Sequence, residues 1–127
     1  MLVGCAVMDR RDASCPLPSE QRLAVTQLFF GREIPGRGPL SDAEWSDFAE
    51  QVITPQFPDG FTVSDGDGHW FDQRTGRMVR ERSKILLVAA DPGSDLAARI
   101  GAVVDAYRQR FNQKSVGVIT TTECGAF

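Results

Sequence analysis

Apolar positions in this chain change rhythm several times, and each change marks an element. Leu23 to Phe30 (LAVTQLFF) is almost continuously apolar and β-rich, as expected of a central strand with both faces at least partly covered. Gly31 to Pro39 (GREIPGRGP) breaks it. From Ser41 the period becomes helical: Trp45, Phe48, Ala49, Val52 and Ile53 fall on one stripe, and Ser41 with Glu44 three residues later forms a capping box. Thr54-Pro55 is expected to close this helix.

After the QFPDG linker, Phe61 to Ala90 predicts a two-stranded ribbon. One arm runs to about Gln73, Arg74-Thr75-Gly76 forms the turn, and the return arm ends in Lys84 to Ala90. Asp65-Gly66-Asp67-Gly68 interrupts the first arm, either as a bulge or as a separate turn that makes a three-stranded meander. Ser94 is expected to cap a second helix, in which Leu96, Ile100, Val103, Val104, Tyr107 and Phe111 share a face. Lys114 to Thr121 (KSVGVITT) predicts the last strand.

Strand, helix, ribbon, helix, strand is the β-α-β-β-α-β order of the ferredoxin-like plait. The expected fold class is therefore α+β, an antiparallel four-stranded sheet with two helices on one face. The other face is left open. Residues 19–127 are expected to form a single domain, preceded by a polar spacer over 1–18.

With 127 residues the chain can bury one core, and 42% hydrophobic and 24% charged residues are ordinary for a globular protein. A formal charge of -3 argues against nucleic-acid binding, which needs a basic face to displace counterions from phosphates. No apolar run approaches the 18 or so residues of a membrane helix. Any membrane contact is thus expected only through an anchor. Leu2-Val3-Gly4-Cys5 resembles the cleavage box of bacterial lipoproteins, which would make Cys5 the lipid attachment site. Such a signal needs an apolar run before the box, and only Met1 to Gly4 precede it, so either the native start lies upstream or the match is accidental.

Cys15 and Cys124 lie near opposite ends of the chain. They read either as a disulfide formed in an oxidising compartment, periplasmic or membrane-anchored, or as two free thiols of a cytoplasmic protein. Adjacent first and last strands would bring them within reach.

Five blocks, LFFGR at Leu28 to Arg32, SDAEW at Ser41 to Trp45, TPQFPDGFTV at Thr54 to Val63, RERSKILLV at Arg80 to Val88 and YRQRFNQKSV at Tyr107 to Val116, follow one another in order. Together they resemble a bacterial family of unassigned activity, domain-of-unknown-function family 3574, over residues 20–124. The resemblance implies a small protein, often carrying an export or lipoprotein signal, with a cysteine near its C-terminus, matched here by Cys124. The chain departs from the family at His69, before the ribbon Trp, so no family chemistry is implied for that histidine.

The candidate chemistry is sparse. His69 has no histidine or cysteine at ligand spacing, and it reads as a solvent-facing strand residue. Asp65, Asp67 and Asp72 fail the spacing of a calcium loop and read as turn formers. No metal or cofactor site is expected. In Arg80-Glu81-Arg82-Ser83-Lys84, alternation puts Arg80, Arg82 and Lys84 on one face and Glu81 and Ser83 on the other. If Glu81 and Ser83 point beneath the helices, Arg32, Tyr107, Arg110 and Gln113 could supply the donors that a buried carboxylate needs.

Two functions follow. The first is a non-enzymatic, lipid-tethered binding module that dimerises or holds a protein partner through the open sheet face. The alternative is a small cofactor-free enzyme or ligand binder with a pocket made by Arg32, Arg80, Glu81, Arg82, Ser83, Tyr107 and Gln113.

Overall fold

The computed structural model describes residues 14–93 and 95–127. The lipobox-like Cys5 and the expected cap Ser94 lie outside these residues. Strand β1 (Gln21–Gly31) is followed by helix α1 (42–56), then by the ribbon strands β2 (Thr62–Asp72) and β3 (Arg77–Ala90), helix α2 (Leu96–Arg110) and strand β4 (Gly117–Gly125). The sheet has the order β2-β3-β1-β4, and each adjacent pair is antiparallel. This is the expected α+β plait.

Helix α1 opens with the capping box: the Ser41 hydroxyl accepts from Glu44 N at 3.1 Å, and the Glu44 carboxylate accepts from Ser41 N at 3.1 Å. The helix closes at Gln56, one residue past the expected Thr54-Pro55, but it is not regular on the way. An α segment (Asp42–Phe48) widens into a π turn (Ala49–Ile53) and ends in Thr54–Gln56. The proline explains the widening, because its ring presses on the carbonyl four residues back and it offers no amide hydrogen. Thr54 donates to Ala49 O from both its amide and its hydroxyl, which keeps the widened turn bonded.

The Asp65–Gly68 stretch forms neither a bulge nor a separate turn. The β2 and β3 register runs unbroken from Thr62 opposite Leu87 to Asp72 opposite Arg77. Its glycines belong in the strand because their neighbours fill the missing side-chain volume: a Cβ at Gly66 would sit 2.8 Å from Ile85 Cδ1. The turn at the tip is held by the Asp72 carboxylate, which accepts from Arg74 N at 2.9 Å, and by Gly76 at φ +67°. The last strand begins three residues later than expected and runs on past Cys124.

Ala24, Leu28, Phe30, Leu86 and Val88 face the helices and are buried with Trp45, Phe48, Ile53, Val103, Tyr107 and Phe111. Phe30, Trp45, Phe48 and Tyr107 meet mostly edge to face, with centroids 4.7 Å apart for Phe30 and Tyr107. Beyond Ser83, β3 pairs only with β2, because its partner β1 ends at Gly31. The end of the ribbon is therefore two-stranded and carries exposed Trp70, Phe71 and Met78.

Cys15 and Cys124 form a disulfide, with Cα atoms 5.6 Å apart. It ties residues 14–20 to the outer edge of the sheet at β4. Among the described residues no helix is long and apolar enough to cross a membrane. The disulfide is compatible with an extracytoplasmic protein.

Candidate functional site

Lys84 decides which way the polar cluster on β3 faces. It is buried in line with Leu86 and Val88, so the even positions of β3 face the helices and the odd positions, Glu81 and Ser83 among them, face the open side. The expectation of a Glu81 carboxylate beneath the helices is thus reversed. The near-continuous apolar run Ile85 to Ala89 fits either phase, and the long Lys84 stem can be buried while its ammonium reaches ionic partners.

The seven expected pocket residues separate accordingly. Arg32, Arg80 and Arg82 lie toward the helix side, and Arg80 pairs with Asp67 at 3.0 Å on the exposed ribbon. Arg32 and Lys84 are buried together under two exposed carboxylates. Lys84 Nζ lies 2.7 Å from Asp65 and 3.1 Å from Asp42, and Arg32 Nη2 lies 3.1 Å from Asp42. Arg32 also donates to Leu40 O through Nε and Nη2, at 3.1 and 2.6 Å. Burial pulls the Lys84 pKa down, but the hydrogen bonds to Asp65 and Asp42 outweigh it and the net shift is upward. The hydrogen bond from Lys84, with the charges of Lys84 and Arg32, holds Asp42 below the usual carboxylate range. Each cation has its anions, so this cluster works as a clamp between α1 and the ribbon.

Glu81, Ser83 and Gln113 come together on the other face. They line an open groove of about 680 Å³ whose floor is glycine (Gly31, Gly68, Gly117) and whose apolar walls are Phe29 and half-exposed Trp70. Among the described residues Glu81 accepts no hydrogen bond and joins no ion pair. The Gln113 amide nitrogen donates to Glu33 O at 2.8 Å and to Phe111 O at 3.1 Å, which fixes its oxygen toward the groove. Both Glu81 Oε1 and Gln113 Oε1 lie within 4 Å of where a Cβ of Gly31 would be. Two acceptors converge there, and the polar side chains of Ser83, Asn112, Lys114 and Ser115 line the rest of the groove.

Tyr107 approaches the same glycine from the core side. Its hydroxyl donates to Gly31 O at 2.6 Å. Burial pushes the phenol up to about 12, with the Arg32 charge working against the shift and the Glu81 and Glu44 charges adding to it. Tyr107 therefore braces the groove floor and does not line it. His69 stands exposed on the ribbon opposite Arg80, outside the groove, and Arg110 donates to Gln51 at 3.1 Å.

The sequence reading missed Trp70 and the glycine floor. The signal was present as Gly66-x-Gly68 beside an aromatic within a strand, a spacing that marks close approach of other groups to the backbone.

The sequence profile of the family described as protein of unknown function (DUF3574) matches residues 25–127. The chain belongs to this family. Family 3574 membership agrees with the five ordered blocks and leaves the activity open. Among curated proteins nothing matches the chain. Two solved structures share the fold: a phage SAM lyase in complex with S-methyl-5'-thioadenosine (16% identity, 83% of this chain and 90% of that one, TM-score 0.61) and a phage SAM lyase in the apo state (17% identity, 91% and 96%, TM-score 0.59).

Proposed function

We propose that this member of family 3574 is a small-ligand-binding protein whose site is the groove above Gly31. The observation that carries the reading is the convergence of the Glu81 and Gln113 oxygens above Gly31. Two acceptors at one point suit a ligand that presents donors there, such as a diol or an amine. Trp70 and Phe29 suit a flat apolar portion beside that group. The fold neighbour's ligand, S-methyl-5'-thioadenosine, joins a planar base to a ribose diol and gives the first compound to test.

The test is calorimetric titration of the intact chain with S-methyl-5'-thioadenosine and with 2',3'-dideoxyadenosine, repeated on Glu81→Gln. Saturable binding of the diol compound, weakened at least about tenfold in the variant or by loss of the diol, is the expected result for a charge-assisted contact. Binding that ignores both changes, or no binding at all, would overturn the assignment.

A second reading is favoured by exposed apolar side chains on the open face, Trp70, Leu87 and Ile119. They support an interaction module that dimerises or holds a protein through that face. Light scattering that gives a strict monomer at all concentrations would remove that role. For location, the disulfide supports an exported protein, tethered through lipidated Cys5. Mass spectrometry of natively isolated protein checks it, since an unmodified Met1 would exclude the tether.

A further inference from the structure

The disulfide has a third member. Residues 14–20 curl into a turn in which Glu20 N donates to Leu17 O at 3.0 Å, and this brings Glu20 back against the Cys15–Cys124 pair. One ligand atom from each of Cys15, Glu20 and Cys124 lies within 4.8 Å of the others, and all three residues are partly buried. Glu20 Oε2 is fully covered and has no hydrogen-bond partner among the described residues. A carboxylate oxygen held dry against two sulfurs is costly in the oxidised protein.

We propose that reduction of the Cys15–Cys124 disulfide turns this corner into a zinc site, with Cys15 Sγ, Cys124 Sγ and Glu20 Oε2 as three ligands and water as the fourth. Two thiolates and one carboxylate more than balance the charge of the ion and suit its borderline softness. Zinc bonds of about 2.3 Å to sulfur and 2.0–2.2 Å to oxygen place tetrahedral donors about 3.6–3.8 Å apart. The carboxylate already lies within 4.8 Å of both sulfurs, and on reduction the sulfurs, now bonded to each other, have only to move apart by about 1.5 Å, with Cys15 lying outside the sheet.

The redox step is a thiol exchange: a dithiol reductant gives up its two thiol hydrogens, closes to its own disulfide and leaves Cys15 and Cys124 as thiols. Zinc then displaces those two protons. The oxidised pair cannot bind the ion, so the site is gated by redox state. Residues 14–20 stay fastened to β4 in both states, by sulfur–sulfur in one and by metal in the other.

The experiment uses the full chain carrying Cys5→Ser, so that no other thiol competes. The protein is reduced with a phosphine, which takes its oxygen from water as the two thiols form, then desalted without oxygen. Cobalt(II) titration should give one ion per chain, with thiolate-to-cobalt charge-transfer absorption and the visible bands of a tetrahedral site. Zinc should displace it. Glu20→Gln should weaken binding at least about tenfold, since it removes an anionic ligand. The oxidised chain should bind none. If the reduced apo protein loses its near-ultraviolet circular dichroism, zinc should restore it. Absence of thiolate bands, unchanged affinity in Glu20→Gln, or failure of zinc to restore a lost signal would each overturn the proposal.

Discussion

Tyr107→Phe isolates one hydrogen bond in the centre of the molecule. The ring is fully buried and sits 4.7 Å from Phe30, 5.2 Å from Phe48 and 4.9 Å from Phe111, contacts that phenylalanine keeps. What disappears is the 2.6 Å donation to Gly31 O. A net hydrogen bond contributes about 0.5–1.5 kcal/mol, and a buried acceptor that loses its donor costs about 1–3 kcal/mol, so the variant should lose about 1–2 kcal/mol. With a urea dependence of about 1–3 kcal/mol/M, the midpoint should fall by roughly 0.5–1.5 M. The same group gives an alkaline signature. Its folded pKa of about 12 lies above the ordinary 10.0, so the unfolded chain releases this proton first as pH rises. Stability is complete below about pH 10 and declines through pH 12, and the variant should lack that component. Tyr107 is the chain's single tyrosine, so tyrosinate absorbance of the native protein reads this residue alone. A midpoint unchanged in the variant, or a native phenol that titrates at the ordinary value, would refute the bracing role.

Other predictions concern the cap, the clamp and the staple. The Glu44 carboxylate is held down to about 2 by Arg37 and then by the Ser41 amide, so its contribution is present above about pH 4.5 and lost as pH falls toward 2; Glu44→Gln should flatten that part of the acid stability curve. Lys84→Met should be nearly neutral in thermal unfolding, because a well-packed apolar group can replace a buried cation. The double change Asp42→Asn, Asp65→Asn should lower the thermal midpoint more than Lys84→Met does, by leaving Arg32 and Lys84 without anions. Replacing Cys15 and Cys124 by serine opens a loop with a sequence separation of 109 residues, and guanidinium unfolding should show a loss of up to about 4–5 kcal/mol on the chain-entropy model. Gly31→Ala puts a methyl where the Glu81 carboxylate lies, and nucleoside titration should lose its heat even if the fold survives.

Much of the architecture was legible because the chain states it in local terms. The Ser41 and Glu44 pair announces α1, the stripe from Leu96 to Phe111 announces α2, and together they imply the strand order found. The face of β3 was not legible. Ile85 to Ala89 is apolar at every position, so alternation within it is silent, and the phase is set by Lys84 reaching Asp42 and Asp65 from other elements. Pro55 told part of the story: the helix does end beside it, at Gln56, but the π turn before it was silent, because it depends on the Ile53 side chain being held in the core. Gly66 and Gly68 likewise carry turn chemistry by themselves, and only the cross-strand Ile85 and Ser83 make them strand residues. Of the candidate site, the sequence named Glu81, Ser83 and Gln113. It could not separate them from Arg32 and Tyr107, because a single sheet lies between the two groups.

That sheet is one peptide thick at position 31. The carbonyl of this residue belongs to the interior through the phenol, while its bare α-carbon belongs to the surface beneath the carboxylate. Whatever settles on the outside therefore presses on the same backbone unit that the interior holds in place. A contact made there would register as altered solvent protection of the aromatic packing behind it, on the far side of a wall with no side chain of its own.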